Sequence, residues 1–91
     1  MIQSKGGTAM SRPTGENGAK NLIAKRLIAL RKSHGLSQRG LARMLQLIGA
    51  DMDKNVITRI ETGKRYVTDI EIKAIAEVFG VSYSYLLDGK E

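Results

Sequence analysis

The sequence lacks cysteine and tryptophan and has a single histidine, His34. Without cysteine, the fold can use neither disulfides nor a thiolate metal site, which suits a reducing compartment. One histidine cannot supply a metal cluster. The sequence also has no H-E-x-x-H motif and no phosphate-binding glycine loop, and helix capping explains the nearby carboxylates Asp51 and Asp53. We therefore expect neither an enzyme nor a protein that carries a cofactor.

Long apolar runs are absent as well. The first ten residues do not contain the continuous apolar segment of a signal peptide. No stretch approaches the ~20 apolar residues that a membrane-spanning helix needs. We expect a soluble, cytoplasmic protein with no membrane partner. Its 91 residues are near the size at which one small core suffices, which predicts a single domain.

Positive charge is in excess, and it is concentrated in the middle of the chain. The net charge is +6, and residues 20–65 carry eleven lysines and arginines against three acids. Residues 66–91 carry two lysines against five acids. So basic a middle segment favours a polyanionic partner, although a well-solvated surface can have the same composition.

Apolar spacing and helix-stop residues predict five short helices and no strand. The predicted helices span residues 21–34, 38–47, 54–62, 69–79 and 83–87. Each of the last four follows a side chain that can accept from the free amides of a first turn. These capping residues are Ser37, Asp53, Thr68 and Ser82.

Two segments outside the helices have distinct compositions. Residues 1–20 contain four glycines, the only proline and no apolar periodicity, which predicts a disordered arm. We favour a simple tail over an arm that touches DNA through Lys5 and Arg12. Residues 46–53 connect the second and third helices, and we expect their apolar members to extend either the core or the end of the second helix. These are Leu47, Ile48 and Met52.

The predicted third helix has two chemically different faces. Val56, Ile57 and Ile60 form an apolar stripe, and the other side carries hydrogen-bond donors. Arginine and asparagine among these donors can bind guanine and adenine in a bidentate way. The alternative is an ordinary exposed polar surface. The donors are Lys54, Asn55, Thr58 and Arg59.

Short motifs follow one another in order along residues 21–88. They are G-L-S-Q at 35–38, L-A at 41–42, I-T-R-I-E-T-G-K-R at 57–65, V-S at 81–82 and Y-L-L at 85–87. No single motif is specific, but the ordered set closely resembles the lambda repressor-like helix-turn-helix domains of the Cro/C1 or XRE family. The resemblance implies an all-α fold of five helices between a 1–20 arm and an 89–91 tail. In that fold the second helix crosses the DNA backbone and the third enters the major groove.

The resemblance also implies roles for individual residues. Arg31 and Glu61 occupy the places of a pair that ties the first helix to the third, and losing one partner would strand a charge. The turn between the second and third helices is five residues longer than the family's usual three. Base readout is implied for Lys54, Asn55, Thr58 and Arg59. Phosphate contact is implied for Gln38, Arg39, Thr62, Lys64 and Arg65.

Together these features predict a sequence-specific DNA-binding transcriptional regulator of bacterial or phage type. Its simplest action is repression by occupying an operator in double-stranded DNA. The alternative is a protein-interaction module, such as an antitoxin or anti-repressor, in which DNA binding is secondary. The apolar and aromatic residues of the last helix could pair two copies as a homodimer or could cap the core. These are Tyr83, Tyr85, Leu86 and Leu87.

Overall fold

The computed structural model describes residues 13–90, which contain five α-helices and no strand. The prediction of an all-α fold of five helices is therefore confirmed. Among the described residues, no helix is both long enough and apolar enough to cross a membrane. The helices are α1 (Ala24–Ser33), α2 (Gln38–Leu47), α3 (Lys54–Glu61), α4 (Asp69–Phe79) and α5 (Tyr83–Asp88).

Local capping explains where the helices begin. Four of them start after a side chain that accepts a hydrogen bond from the amide three residues further on. Such a bond satisfies an amide that has no partner in the first turn. α1 begins differently, because Asn21 Oδ1 accepts from the amides of Ile23 and Ala24, at 3.0 Å each. The other four capping residues are Ser37, Asp53, Thr68 and Ser82.

The core is one cluster of fourteen buried apolar residues, and none of the described polar residues is buried. α3 packs against both α1 and α2, and α4 packs against α2 and α5. Burying one leucine or isoleucine side chain contributes about 1.5–3 kcal/mol, so this cluster is the main stabilising feature. The largest fully buried side chains are Ile23, Leu27, Leu41, Leu45, Met52, Ile57, Ile60, Ile75 and Leu86.

The connector between α2 and α3 is shorter than the predicted 46–53. α2 continues through Leu47, so the connector is residues 48–53. Met52 is buried as expected, but Leu47 is 80% exposed and Ile48 is 43% exposed. Met52 therefore extends the core and Leu47 extends α2, the two roles that the sequence left open, whereas Ile48 stands at the C-cap of α2 and is not buried. Leu47 follows the buried Leu45 by two residues, or about 200° around the helix, which turns it to solvent.

The N-terminal segment also differs from the predicted arm where it is described. Residues 1–12, with Lys5 and Arg12, lie outside the described residues. The segment from residue 13 to 20 contains a 3-10 turn at Glu16–Gly18. The Lys20 amide donates to the carbonyl of Gly63 at 2.9 Å. Gly63 lies in the turn after α3, so this bond joins that turn to the residues before α1. The residues just before α1 are thus bound to the turn after α3.

Candidate nucleic-acid interface

The inner face of α3 is fixed by apolar packing. Ile57 and Ile60 are fully buried between α1 and α2. Asp53 caps the helix by accepting from the Val56 amide at 2.9 Å, which defines its first turn. The helix therefore has a set rotation about its axis, and that rotation decides which side chains point outward.

A polar network ties the same face to α1 and α2. Arg31 Nε lies 2.7 Å from Glu61 Oε2, and Arg31 Nη2 donates to Glu61 Oε1 at 3.0 Å. Arg31 Nη1 donates to the carbonyl of Leu36 at 2.9 Å. Gln38 Nε2 donates to Glu61 Oε1 at 2.9 Å, and Gln38 Oε1 accepts from the Thr58 hydroxyl at 2.8 Å. Three helices are therefore joined around one carboxylate.

The ion pair within this network is largely shielded from water. The side chains of Arg31 and Glu61 are 12% and 5% exposed. The hydrogen bond that Arg31 donates to Glu61 raises the pKa of Arg31 above its ordinary value. Breaking such a pair leaves an uncompensated charge, which makes its loss costly. The pair thus holds α3 in one orientation relative to α1.

The outer face of α3 presents donors to solvent. Lys54, Asn55 and Arg59 are exposed, and their side chains have no hydrogen bond or ion pair to any other part of residues 13–90. Their positions lie at about 0°, 100° and 140° around the helix, so they share one side. The structure thus brings these three predicted site residues together as available donors.

The two threonines predicted at this surface are bonded within the protein instead. The Thr58 hydroxyl is half-buried and contacts both Gln38 and the carbonyl of Lys54, at 2.8 and 3.0 Å. The Thr62 hydroxyl donates to the carbonyl of Thr58 at 2.9 Å. Each hydroxyl has only one proton to donate, and in both residues it is already used.

Arg65 is also engaged within the protein. Its Nη1 and Nη2 donate to the two carboxylate oxygens of Glu71 at 2.8 and 3.1 Å. Glu71 in turn accepts from the Thr68 amide and completes the capping box of α4. Burial raises the pKa of Glu71, but the hydrogen bonds from Arg65 and Thr68 outweigh it and lower that pKa overall. Arg65 therefore fixes the loop after α3 to α4.

Positive side chains line a groove at each end of α3. Near the N-terminus of α3, Arg39 and Arg43 of α2 face Lys54. Beyond the C-terminus, Lys20 and Lys64 share a pocket with Arg59. The eight residues of α3 span about 12 Å, close to the width of the major groove of B-DNA. The two sets are called here the N-terminal basic cluster (Arg39, Arg43, Lys54) and the C-terminal basic cluster (Lys20, Arg59, Lys64).

Two members of these clusters were missed by sequence reasoning. Arg43 follows Arg39 by four residues on the exposed side of α2, so the helical period was a usable signal. Lys20 carries no such signal. It lies 39 residues before Arg59 in the sequence, and only tertiary contacts with the turn after α3 bring it there.

A braced pair of helices, α2 and α3, with a free donor face on the second, defines a helix-turn-helix protein. A helix-turn-helix family model matches residues 27–86, from the middle of α1 into α5. The chain belongs to the Cro/C1-type helix-turn-helix family, also called XRE, which has the lambda repressor-like fold. It is a DNA-binding transcription regulator of that family, whose domain is not known to be enzymatic.

The resemblance that the sequence motifs predicted is thus confirmed. A search of the curated proteins gave no match.

Proposed function

We propose that the protein represses transcription by occupying an operator, with α3 in the major groove. The observation that carries this proposal is the contrast between the faces of α3. Its inner face is bonded to α1 and α2, whereas Lys54, Asn55 and Arg59 are left as donors on the outer face. A rigid helix that presents unpaired donors is suited to read base edges.

Within this arrangement Arg59 and Asn55 read bases. Arginine matches the two acceptors of guanine, and asparagine matches the donor and acceptor of adenine. Lys54, at the first position of α3, adds a donor to the same surface. Thr58 acts by positioning Gln38 rather than by reading a base, because its hydroxyl proton is already donated.

Phosphate contacts come from the residues around α3. Arg39 and Arg43 in the N-terminal basic cluster and Lys64 in the C-terminal one follow the DNA backbone, a role that is supported by the grooves they line at the two ends of α3. Gln38 uses one amide hydrogen for Glu61 and keeps the second for a phosphate. Such contacts set affinity and orientation without sequence preference. Arg65 and Thr62 contribute indirectly, through the loop that they hold.

The test of this function is a salt titration with duplex DNA. Because each phosphate contact releases counterions, the logarithm of the association constant should fall linearly with the logarithm of salt concentration. Replacing Arg39 and Arg43 together by alanine should reduce that slope by about 1.8, or 0.9 for each lost contact. The control is Lys73→Ala, which removes a charge from α4. No detectable binding of duplex DNA at low salt would refute the proposed function.

A second candidate function, a protein-interaction module, is supported by an exposed apolar groove between α1, α4 and α5. Leu22, Ile70 and Tyr83 in this groove are 60%, 76% and 52% exposed. Leu87 lies beside them, whereas Leu86, for which the sequence left pairing and core capping open, is fully buried in the core. Binding of a second copy or of another protein at this groove would cover the apolar surface.

Analytical ultracentrifugation without DNA tests this second function. The protein alone should sediment as a homodimer if a second copy covers the groove, and Ile70→Lys should restore the monomer. A wild-type monomer at micromolar concentration would leave only a different protein as the partner. If the wild-type protein is a dimer and Ile70→Lys sediments as the same dimer, the role of this groove in pairing would be contradicted.

A further inference from the structure

We propose that Lys20, from the segment that precedes α1, binds a backbone phosphate of the DNA together with Lys64. This inference rests on the proposed function, since the ligand is the phosphodiester backbone beside the groove that α3 enters. It adds a binding residue that lies outside the matched family span of residues 27–86. Asn21 is assigned as the positioning residue that holds Lys20 there.

The backbone of Lys20 is fixed to the turn at the C-terminal end of α3. Its amide donates to the carbonyl of Gly63 at 2.9 Å. Gly63 has φ +73°, and a Cβ at that position would lie 3.5 Å from the Cβ of Ala19. The left-handed conformation is what favours glycine at this turn, since a Cβ there would make only an ordinary van der Waals contact with the segment before α1. The main chain of Lys20 alone therefore holds this residue at the C-terminal end of α3, whatever its side chain contacts.

Asn21 strengthens this attachment with all of its hydrogen-bonding groups. Its Nδ2 donates to the carbonyls of Ile60 and Arg65, at 3.0 Å each. Its Oδ1 accepts from the first amides of α1, at 3.0 Å each. One side chain therefore joins the start of α1 to both sides of the turn that follows α3. Lys20, the residue before Asn21, is therefore held near Arg59 and Lys64 by these bonds.

The charge of the Lys20 side chain is not neutralised by the described protein. Lys20 is exposed, its Nζ lies 5.8 Å from the ring centroid of Tyr66, and no carboxylate within residues 13–90 pairs with it. The nearby Arg65 is neutralised by Glu71. Lys20, Arg59 and Lys64 thus leave three positive charges around one pocket.

The position of the pocket lined by Lys20, Arg59 and Lys64 indicates which anion it binds. Arg59 belongs both to the outer face of α3 and to the C-terminal basic cluster, so the cluster lies at the edge of the base-reading surface. When α3 enters the major groove, the group at that edge is the sugar-phosphate backbone. A phosphodiester has the charge and the acceptor oxygens that two ammonium groups can share. The fit is to duplex DNA rather than to a free anion.

The experiment is a salt titration of DNA binding with Lys20→Ala, Lys20→Arg and Lys73→Ala in the full chain. Lys20→Ala should reduce the salt slope by about 0.9. The loss of affinity between about 50 and 200 mM salt should then be about 3–4-fold smaller than for the wild-type protein. The reduction should be equal for a selected site and for random duplex DNA. Lys20→Arg should keep the wild-type slope, and Lys73→Ala should leave it unchanged.

Asn21→Ala tests the positioning role, because it leaves the charge of Lys20 in place. It should reduce the salt slope in the same direction, and thermal melting should show that the variant is folded at the temperature of the titration. In the Asn21→Ala background, Lys20→Ala should have a smaller effect than in the wild-type background, since the two residues act on one contact. Independent, additive effects would overturn the role of Asn21.

Two outcomes would overturn the inference while leaving the proposed function intact. In the first, the wild-type protein binds with a steep salt slope and Lys20→Ala binds with the same slope. In the second, Lys20→Ala and Lys73→Ala reduce the slope equally, which would make the effect one of net charge. Absence of wild-type binding to duplex DNA at low salt would overturn the inference and the proposed function together.

Discussion

The two faces of α3 are eight residues of one helix, yet they are used in opposite ways. On the inner face Ile57 and Ile60 are buried and the Glu61 carboxylate is bonded to two side chains. On the outer face Asn55 and Arg59 are exposed and have no partner within residues 13–90. Stability and recognition are therefore carried by different residues, and substitutions should separate them.

The largest effect is expected on the inner face, from Glu61→Ala. This change leaves the shielded Arg31 charge without its partner, so the free energy of unfolding should fall by about 3–5 kcal/mol. Urea unfolding followed by circular dichroism measures it. Replacing both partners by apolar residues is the control and should cost less than Glu61→Ala alone. A loss below about 1 kcal/mol would mean that the pair does not hold α3.

On the outer face, Arg59→Ala should leave stability unchanged and weaken recognition. We expect a loss of about 1–3 kcal/mol on a site selected from random duplexes, and a smaller loss on random DNA. Fluorescence anisotropy with both duplexes measures the difference. Lys64→Ala is the control and should weaken both duplexes alike. Equal losses on the two duplexes for Arg59→Ala would remove Arg59 from base readout.

Thr58 lies on the boundary between the faces, and Thr58→Val decides to which face it belongs. Valine keeps the shape of the side chain but loses the hydrogen bond to Gln38, so stability should fall by about 1 kcal/mol. The base preference of the variant should be that of the wild-type protein. A changed preference at a single base pair, measured by binding to single-substitution duplexes, would place Thr58 on the reading face instead.

The smallest effect is expected outside α3, at the Arg65–Glu71 pair, and it depends on pH. The folded-state pKa of Glu71 is lowered, so the pair stabilises the protein above the ordinary carboxylate pKa of 4.5. That stabilisation is lost as the pH falls through the lowered pKa. The stability difference between the wild-type protein and Glu71→Gln should therefore shrink with acidification.

Thermal melting from neutral pH down to about pH 2.5 measures this difference, because the interval starts above the ordinary carboxylate pKa of 4.5 and extends below it, in the direction of the lowered pKa. Glu77→Gln, at an exposed position of α4, is the matched control, and its stability difference from the wild-type protein should be small. If the stability difference between Glu71→Gln and the wild-type protein is the same at every pH, the Arg65–Glu71 ion pair does not stabilise the loop after α3.

The parts of the fold that short-range patterns control could be predicted from the sequence. Ser37 and Asp53 cap the helices that they were expected to cap, because a cap depends on residues only three positions apart. The apolar periods placed Ile57 and Ile60 in the core. The connector was predicted less well. An apolar residue such as Leu47 can be buried or exposed according to the side of α2 on which it lies.

The site could be predicted in position but not in detail. Arg59 and Arg65 look alike in the sequence, and only the folded chain shows that Arg65 is bound to Glu71. A signal existed, since Thr68 and Glu71 form a capping box that fixes the carboxylate near the loop. Lys20 and Asn21 had none, because their contacts with the turn after α3 span about forty residues and depend on how α1 packs.

Base reading by the outer face of α3 is the property that most needs a direct test. The most direct measurement is to select bound duplexes from a random pool with the wild-type protein, Asn55→Ala and Arg59→Ala in parallel, and to sequence them. The wild-type protein should select a defined site, and each variant should lose preference at a different base pair of it, at a guanine for Arg59 and at an adenine for Asn55. The same site selected with equal preference by all three proteins would contradict the claim.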